Sequence, residues 1–225
     1  HESAGLLVIN KPSGLAVHGG SGLDLGLIEA LRVARNDPGL ELMHRLDRET
    51  SGCLLITKKR GALRQLHADL RDGKIDKIYT ALAVGKWPAR FSDIRAPLLK
   101  NQLSSGERMV VVSKEGKNCH TRFRVCERLN GATLLEAMPI TGRTHQIRVH
   151  MKHIGHTLFN DARYGGEKIL KGTTFTKYKQ FVQNCFKFNR VINIFGVRRD
   201  LAPCSRLAAA QCAPRRLSLL CLYLS

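Results

Sequence analysis

Apolar residues recur along this chain in short runs broken by glycine and proline, and their period separates strands from helices. Leu6 to Asn10 (LLVIN) predicts a short strand, closed by a turn at Lys11-Pro12-Ser13-Gly14. Leu27, Ala30, Leu31 and Ala34 share one face of a helix expected over 25–35, and Pro38-Gly39 stops it. The run Cys53-Leu54-Leu55-Ile56-Thr57 has the composition of a buried strand. Leu63, Leu66 and Leu70 stripe a second helix over 61–72, with Arg64 and Arg71 outward and Gly73 at its end.

From Lys77 the period becomes two. In 77–85, Tyr79, Ala81 and Ala83 lie on one side and Ile78, Leu82 and Val84 on the other. Further strands are expected over 108–113, 121–129 and 132–138, with Asn130-Gly131 as a hairpin turn. Strands that follow one another without intervening helices predict an α+β fold, a mixed and mainly antiparallel sheet with flanking helices. Residues 141–155 begin as a polar loop and run into a helix ended by Gly155. Ile147, Met151 and Ile154 form its apolar face, while Arg143, Arg148, Lys152 and histidines form a cationic one. Residues 160–166 read as a turn-rich loop and 173–186 as one more helix. Beyond about 188 the period is lost. The expected division is a catalytic domain over 1–188 and a divergent basic tail over 189–225 without assigned role, whose last apolar run is Leu217 to Leu224.

Composition narrows the class. Of 225 residues, 43% are hydrophobic and 24% charged, as in one globular domain with or without an appendage. No run reaches the roughly 18–20 apolar residues that a membrane helix needs. The seven cysteines form no CxxC pair, so a reduced, cytoplasmic setting is expected. No signal peptide is read, and a first residue of His rather than Met implies that the native start is missing. Charge is more telling: 37 Lys+Arg against 18 Asp+Glu gives +19 and a pI near 10.2, which points to a polyanionic partner, nucleic acid first.

The candidate chemistry centres on Leu42 to Lys58 (LMHRLDRETSGCLLITK). Asp47 stands between Arg45 and Arg48 on a loop pinned by the apolar run after it. An acid flanked by cations is held ionised, which suits a nucleophile or base, although the same pattern also makes surface ion pairs. The loop His18-Gly19-Gly20-Ser21-Gly22 lacks the Lys-Ser/Thr ending of a phosphate-binding P-loop. His145, His150, His153 and His156 do not have HExxH spacing, and no acid or cysteine completes a ligand set. No metal site is expected; structural or RNA-facing histidines are the better reading.

Four separated stretches then agree with one family: LVINKPSGLAVHGGSG ending at Gly22, HRLDRETSGCLLITKK at 44–59, KIYTALAVGKW at 77–87, and TGRTHQIRVHMKHIGHTLFNDARYGG at 141–166. With LLKNQLSSGERMVVVSKEGK at 98–117, they resemble the RluA-type pseudouridine synthases over about residues 5–166. The resemblance implies isomerisation of uridines in large-subunit ribosomal RNA by a monomer, without metal or cofactor. It makes Asp47 the nucleophile, attacking ribose C1′ or uracil C6, and Arg148 its bidentate partner. It places Tyr79 on the flipped uracil, where it helps remove the C5 proton, and Ile147 against the base. Arg45 fills the gap the uridine leaves, and Arg48 and Arg143 meet phosphates. Asp161 and Tyr164 are expected to shape their loop. Two features of this branch are not found: an S4-type RNA-binding domain and a last strand with a Leu-His-Ala signature. The 167–186 stretch looks like an insertion seen elsewhere in the family. A catalytically impaired RNA-binding protein on the same fold is the alternative.

Overall fold

Period-two segments build one large sheet here, and the computed structural model describes residues 1–20, 25–102, 108–166 and 217–223 of the chain. In chain order the elements are β1 (Leu6–Lys11), α1 (Leu27–Ala34), β2 (Glu41–Leu42), β3 (Ser51–Thr57), α2 (Arg60–Arg71), β4 (Ile75–Val84) and β5 (Asp93–Arg95). Then come β6 (Leu98–Gln102), β7 (Arg108–Val112), β8 (His120–Leu129), β9 (Ala132–Pro139), α3 (Gln146–His153) and β10 (Leu217–Tyr223). The main sheet runs β1-β3-β10-β4-β9-β8-β5 with β2 beside β3, and β6-β7 form a separate ribbon. All its pairings are antiparallel except β10 with β4, so the expected mixed, mainly antiparallel α+β fold is the one found.

The hairpin falls where Asn130-Gly131 predicts it. Leu129 pairs with Ala132, and Gly131 takes φ 78, which its missing Cβ permits. In β4 the alternation also holds, with Tyr79, Ala81 and Ala83 buried. Leu63, Leu66 and Leu70 of α2 pack on a small cluster of Met43, Leu55 and Ile75, and Arg64 and Arg71 face outward.

Three expectations need correction. In α1 the buried position is Ile28, flanked by Leu27 and Leu31, while Ala30 and Ala34 are exposed; the larger side chains bury more area and turn the helix toward them. In α3 the supposed cationic face is divided, since Arg148 and His150 are buried with Gln146, Ile147, Val149 and Met151 while Lys152 and His153 are exposed. Finally, the apolar run near the C-terminus is β10, which joins the sheet between β3 and β4. Leu217–Tyr223 align with Ile75–Ala81, and Cys221 and Leu222 pair with Gly52 and Ser51. The helix expected over 173–186 and residues 189–216 of the expected tail lie outside the described residues.

Candidate active site

Two segments far apart in sequence meet at the edge of the main core. The first is the loop between β2 and β3. Leu46 is buried in the core, so Asp47, the next residue, stands at its boundary with 21% of its side chain exposed. The loop is held from beneath by the first turn of the chain. Lys11 is fully buried, and its Nζ donates to the carbonyls of Pro12 (2.9 Å), Leu15 (2.8 Å) and Arg48 (2.9 Å). Gly14 N–H donates to the same Arg48 carbonyl and Ser13 Oγ to Glu49 O. A buried ammonium is tolerable only with such bonds, so the Lys-Pro-Ser-Gly turn is a strut under Asp47.

The second segment is α3 and the turn before it. Gln146 fixes that turn: its Oε1 accepts from Thr141 Oγ1 (2.7 Å) and Arg143 N–H (3.1 Å), and its Nε2 donates to His120 O (2.9 Å). Ile147 is locked in the core, which presents Arg148 beside it to Asp47. Arg148 Nη1 lies 3.4 Å from Asp47 Oδ2, across 101 residues of sequence. His145 Nε2 is 3.8 Å from the same oxygen.

The site differs from the expectation in two respects. The arginines flanking Asp47 in sequence are engaged elsewhere: Arg45 Nη1 is 2.9 Å from His18 Nε2, and Arg48 Nε donates to Gly14 O at 3.0 Å. Successive loop residues point in different directions, so adjacency along the chain did not make them the close partners found here. Nor is the bidentate partner of Arg148 the nucleophile candidate. Asp161 takes Arg148 Nε at 2.7 Å and Nη2 at 2.8 Å, leaving Nη1 for Asp47. Asp161 is only 1% exposed and also accepts from Tyr164 N–H, so it does more than shape a loop. The Asn-Asp-Ala-Arg-Tyr-Gly turn was the available signal. A carboxylate that accepts two parallel N–H bonds holds a guanidinium in a fixed orientation.

Above Asp47 opens a cleft of about 1120 Å³, whose lining includes Tyr79, Ile147, Arg45, Arg48 and Arg143. Tyr79 is 8% exposed, and its strand pairs it with Ala137 of β9. Arg45, Arg48 and Arg143 are exposed around the rim. All seven residues singled out in the sequence therefore border one space. The histidines have separate partners: His150 reaches Thr121 Oγ1 (2.9 Å) and Ala96 O (3.0 Å), and His156 reaches Val84 O (3.1 Å). Burial pushes the His150 pKa below that of an ordinary imidazole.

The RNA pseudouridylate synthase family matches residues 5–153. Ribosomal large subunit pseudouridine synthase C of Pasteurella multocida (strain Pm70) is 59% identical over 161 residues, 71% of this chain and 49% of that protein. The protein of the same name from Escherichia coli (strain K12) is 57% identical over 166 residues, 73% of this chain and 52% of its own. The chain thus spans about half the length of the curated relatives it matches. Among solved structures, human RNA pseudouridylate synthase domain containing 4 superposes with a TM-score of 0.62 at 26% identity, over 86% of this chain and 79% of that one. Its domain containing 1 counterpart gives 0.58 at 27% identity, over 73% and 68%. This chain belongs to the RNA pseudouridylate synthase family.

Proposed function

We propose that the chain converts uridine to pseudouridine in large-subunit ribosomal RNA, with Asp47 as the nucleophile. The observation that carries this reading is the Asp47–Arg148 contact at 3.4 Å on the floor of a cleft bordered by Tyr79 and Ile147. The names of the similar bacterial proteins support the choice of RNA.

The reaction is an isomerisation. The bond from C1′ to N1 breaks, the uracil turns, C1′ bonds to C5, the C5 proton leaves and N1 gains one. Asp47 adds at C1′ or C6 and is returned, so one carboxylate divides a hard step into easier ones. Arg148 keeps that carboxylate aimed, and Asp161 fixes Arg148 in turn. Extracting the base from its stack costs roughly a few kcal/mol. Stacking on Tyr79 and contact with Ile147 offset part of that, and Arg45 takes the vacated place. Arg48 and Arg143 at the rim serve phosphates, in keeping with the net charge of +19. The same reading carries a monomer working in the cytoplasm on chemistry that calls for no metal or cofactor.

The test is tritium release from a large-subunit rRNA transcript carrying 5-³H-uridine. Wild type should release tritium. Asp47→Asn should release none while retaining RNA affinity within about threefold. Turnover by Asp47→Asn would remove Asp47 as nucleophile. Binding without release by the wild type would favour an impaired RNA-binding protein on this fold.

A further inference from the structure

His145, beside Asp47, is unusual in three ways. Its backbone sits in the left-handed region, φ 53 and ψ 21, immediately before α3. Such a conformation in a residue other than glycine persists only where its surroundings enforce it, often at functional sites. Its imidazole lies between the nucleophile candidate and a buried tyrosine: Nε2 is 3.8 Å from Asp47 Oδ2, and Nδ1 is 2.7 Å from Tyr164 Oη. Burial also holds its pKa below the ordinary imidazole value, against the opposing pull of Asp47 and with the help of Arg148.

The hydrogen positions follow from Tyr164. Burial raises the pKa of its hydroxyl, so the phenol keeps its proton. The hydroxyl oxygen accepts from Val110 N–H at 3.4 Å, and a backbone N–H can only donate. Among the described residues the hydroxyl has one other hydrogen-bond partner, His145 Nδ1 at 2.7 Å, so the phenolic proton, which would otherwise be buried without an acceptor, is directed at that nitrogen. In a neutral imidazole that assigns the ring proton to Nε2, facing Asp47. The tyrosine is itself fixed: its N–H donates to Asp161 Oδ1 at 3.2 Å, and the Arg148 guanidinium lies 4.9 Å over its ring. Two donors, Arg148 Nη1 and His145 Nε2, thus converge on Asp47 Oδ2.

We propose that His145 is a further positioning residue of the reaction: a neutral imidazole, locked as the Nε2–H tautomer by the Tyr164 hydroxyl, that orients the Asp47 carboxylate. The inference rests on the reading of Asp47 as nucleophile. The division of labour has a chemical reason. A second full cation on Oδ2 would stabilise the free carboxylate and oppose its bonding to carbon, in which its charge is lost. A neutral N–H aims the group at a smaller penalty. At 3.8 Å the contact is longer than a hydrogen bond, as catalytic contacts often are before a substrate completes the site.

The experiment has two independent arms. Nitrogen-15 spectra of histidine-labelled protein without RNA should show His145 as the Nε2–H tautomer, changing to a mixture in Tyr164→Phe. A His145 signal of the Nδ1–H form in the wild type would overturn the proposal, whether or not the protein turns over. In steady-state tritium release, His145→Phe should lower kcat at least tenfold with KM within twofold, and His145→Gln, which restores a donor near Nε2, should recover part of it. An unchanged kcat in folded His145→Phe, or loss confined to KM, would overturn the role. Absence of turnover in the wild type would instead count against the proposed reaction, with the tautomer still deciding the geometry.

Discussion

Asp47 and Asp161 are both carboxylates beside one guanidinium, yet their surroundings give them different work. Asp161 is enclosed and spends both oxygens on Arg148, whereas Asp47 is partly open to the cleft and receives the remaining Nη1. Removing one member of a buried pair leaves the other charge stranded, at roughly 3–5 kcal/mol. Asp161→Asn should therefore lower stability by about that amount in urea unfolding. It should also reduce kcat at least tenfold, because Arg148 loses its bidentate hold. A variant with wild-type stability and rate would show that Asp161 does not orient Arg148. The sequence offered both acids, but it ranked them by motif. Only distances reveal which one anchors the arginine.

At the scale of elements, the loop carrying Asp47 is tied to β3 by more than chain continuity. Leu55 N–H donates to His44 Nε2 at 3.3 Å, so that ring nitrogen must stay unprotonated. Burial pushes the His44 pKa down to about 4, and the Lys77 charge adds to the shift. The unfolded chain takes up this proton below its ordinary pKa of about 6.5, while the folded chain resists until about 4. The stability from neutral His44 is thus complete above about pH 6.5 and is lost as the pH falls toward 4. His145 and His150, also lowered by burial, act in the same direction. Urea midpoints should drop between pH 7 and pH 5, and His44→Gln should lessen the drop. Equal midpoints at the two values would contradict this account. Periodicity placed most of the elements involved. It missed β2 and β5, whose two and three residues hold too few alternations to register a period, and β6, whose Leu98-Leu99 is followed by polar Lys100-Asn101-Gln102.

For the molecule as a whole, β10 decides how the sheet closes. It contributes the parallel pairing to β4 and an antiparallel pairing to β3, so the β1-β2-β3 side and the β4-β9-β8-β5 side meet through it. Asp47 precedes β3, whereas Tyr79 lies on β4. Deleting residues 217–225 should expose backbone donors and acceptors on both neighbours. Cooperative unfolding should then give way to a broad transition, and tritium release should be lost even with every cleft residue present. A sharply melting, active truncate would show that β10 is dispensable.

What the sequence by itself determined was local: the alternation of β4, β8 and β9, the Asn130-Gly131 hairpin, the stripe of α2, and the motifs that carry Asp47, Tyr79, Ile147 and Arg148. These follow from side-chain period and turn chemistry within a few residues. The tertiary structure decided the rest. It set Arg148 between two carboxylates, buried Lys11 as a strut and aimed His145 at Asp47. It also drew a terminal strand into the centre of a sheet more than a hundred residues away. Such pairings depend on which surfaces the folded core leaves adjacent, and no local period records that.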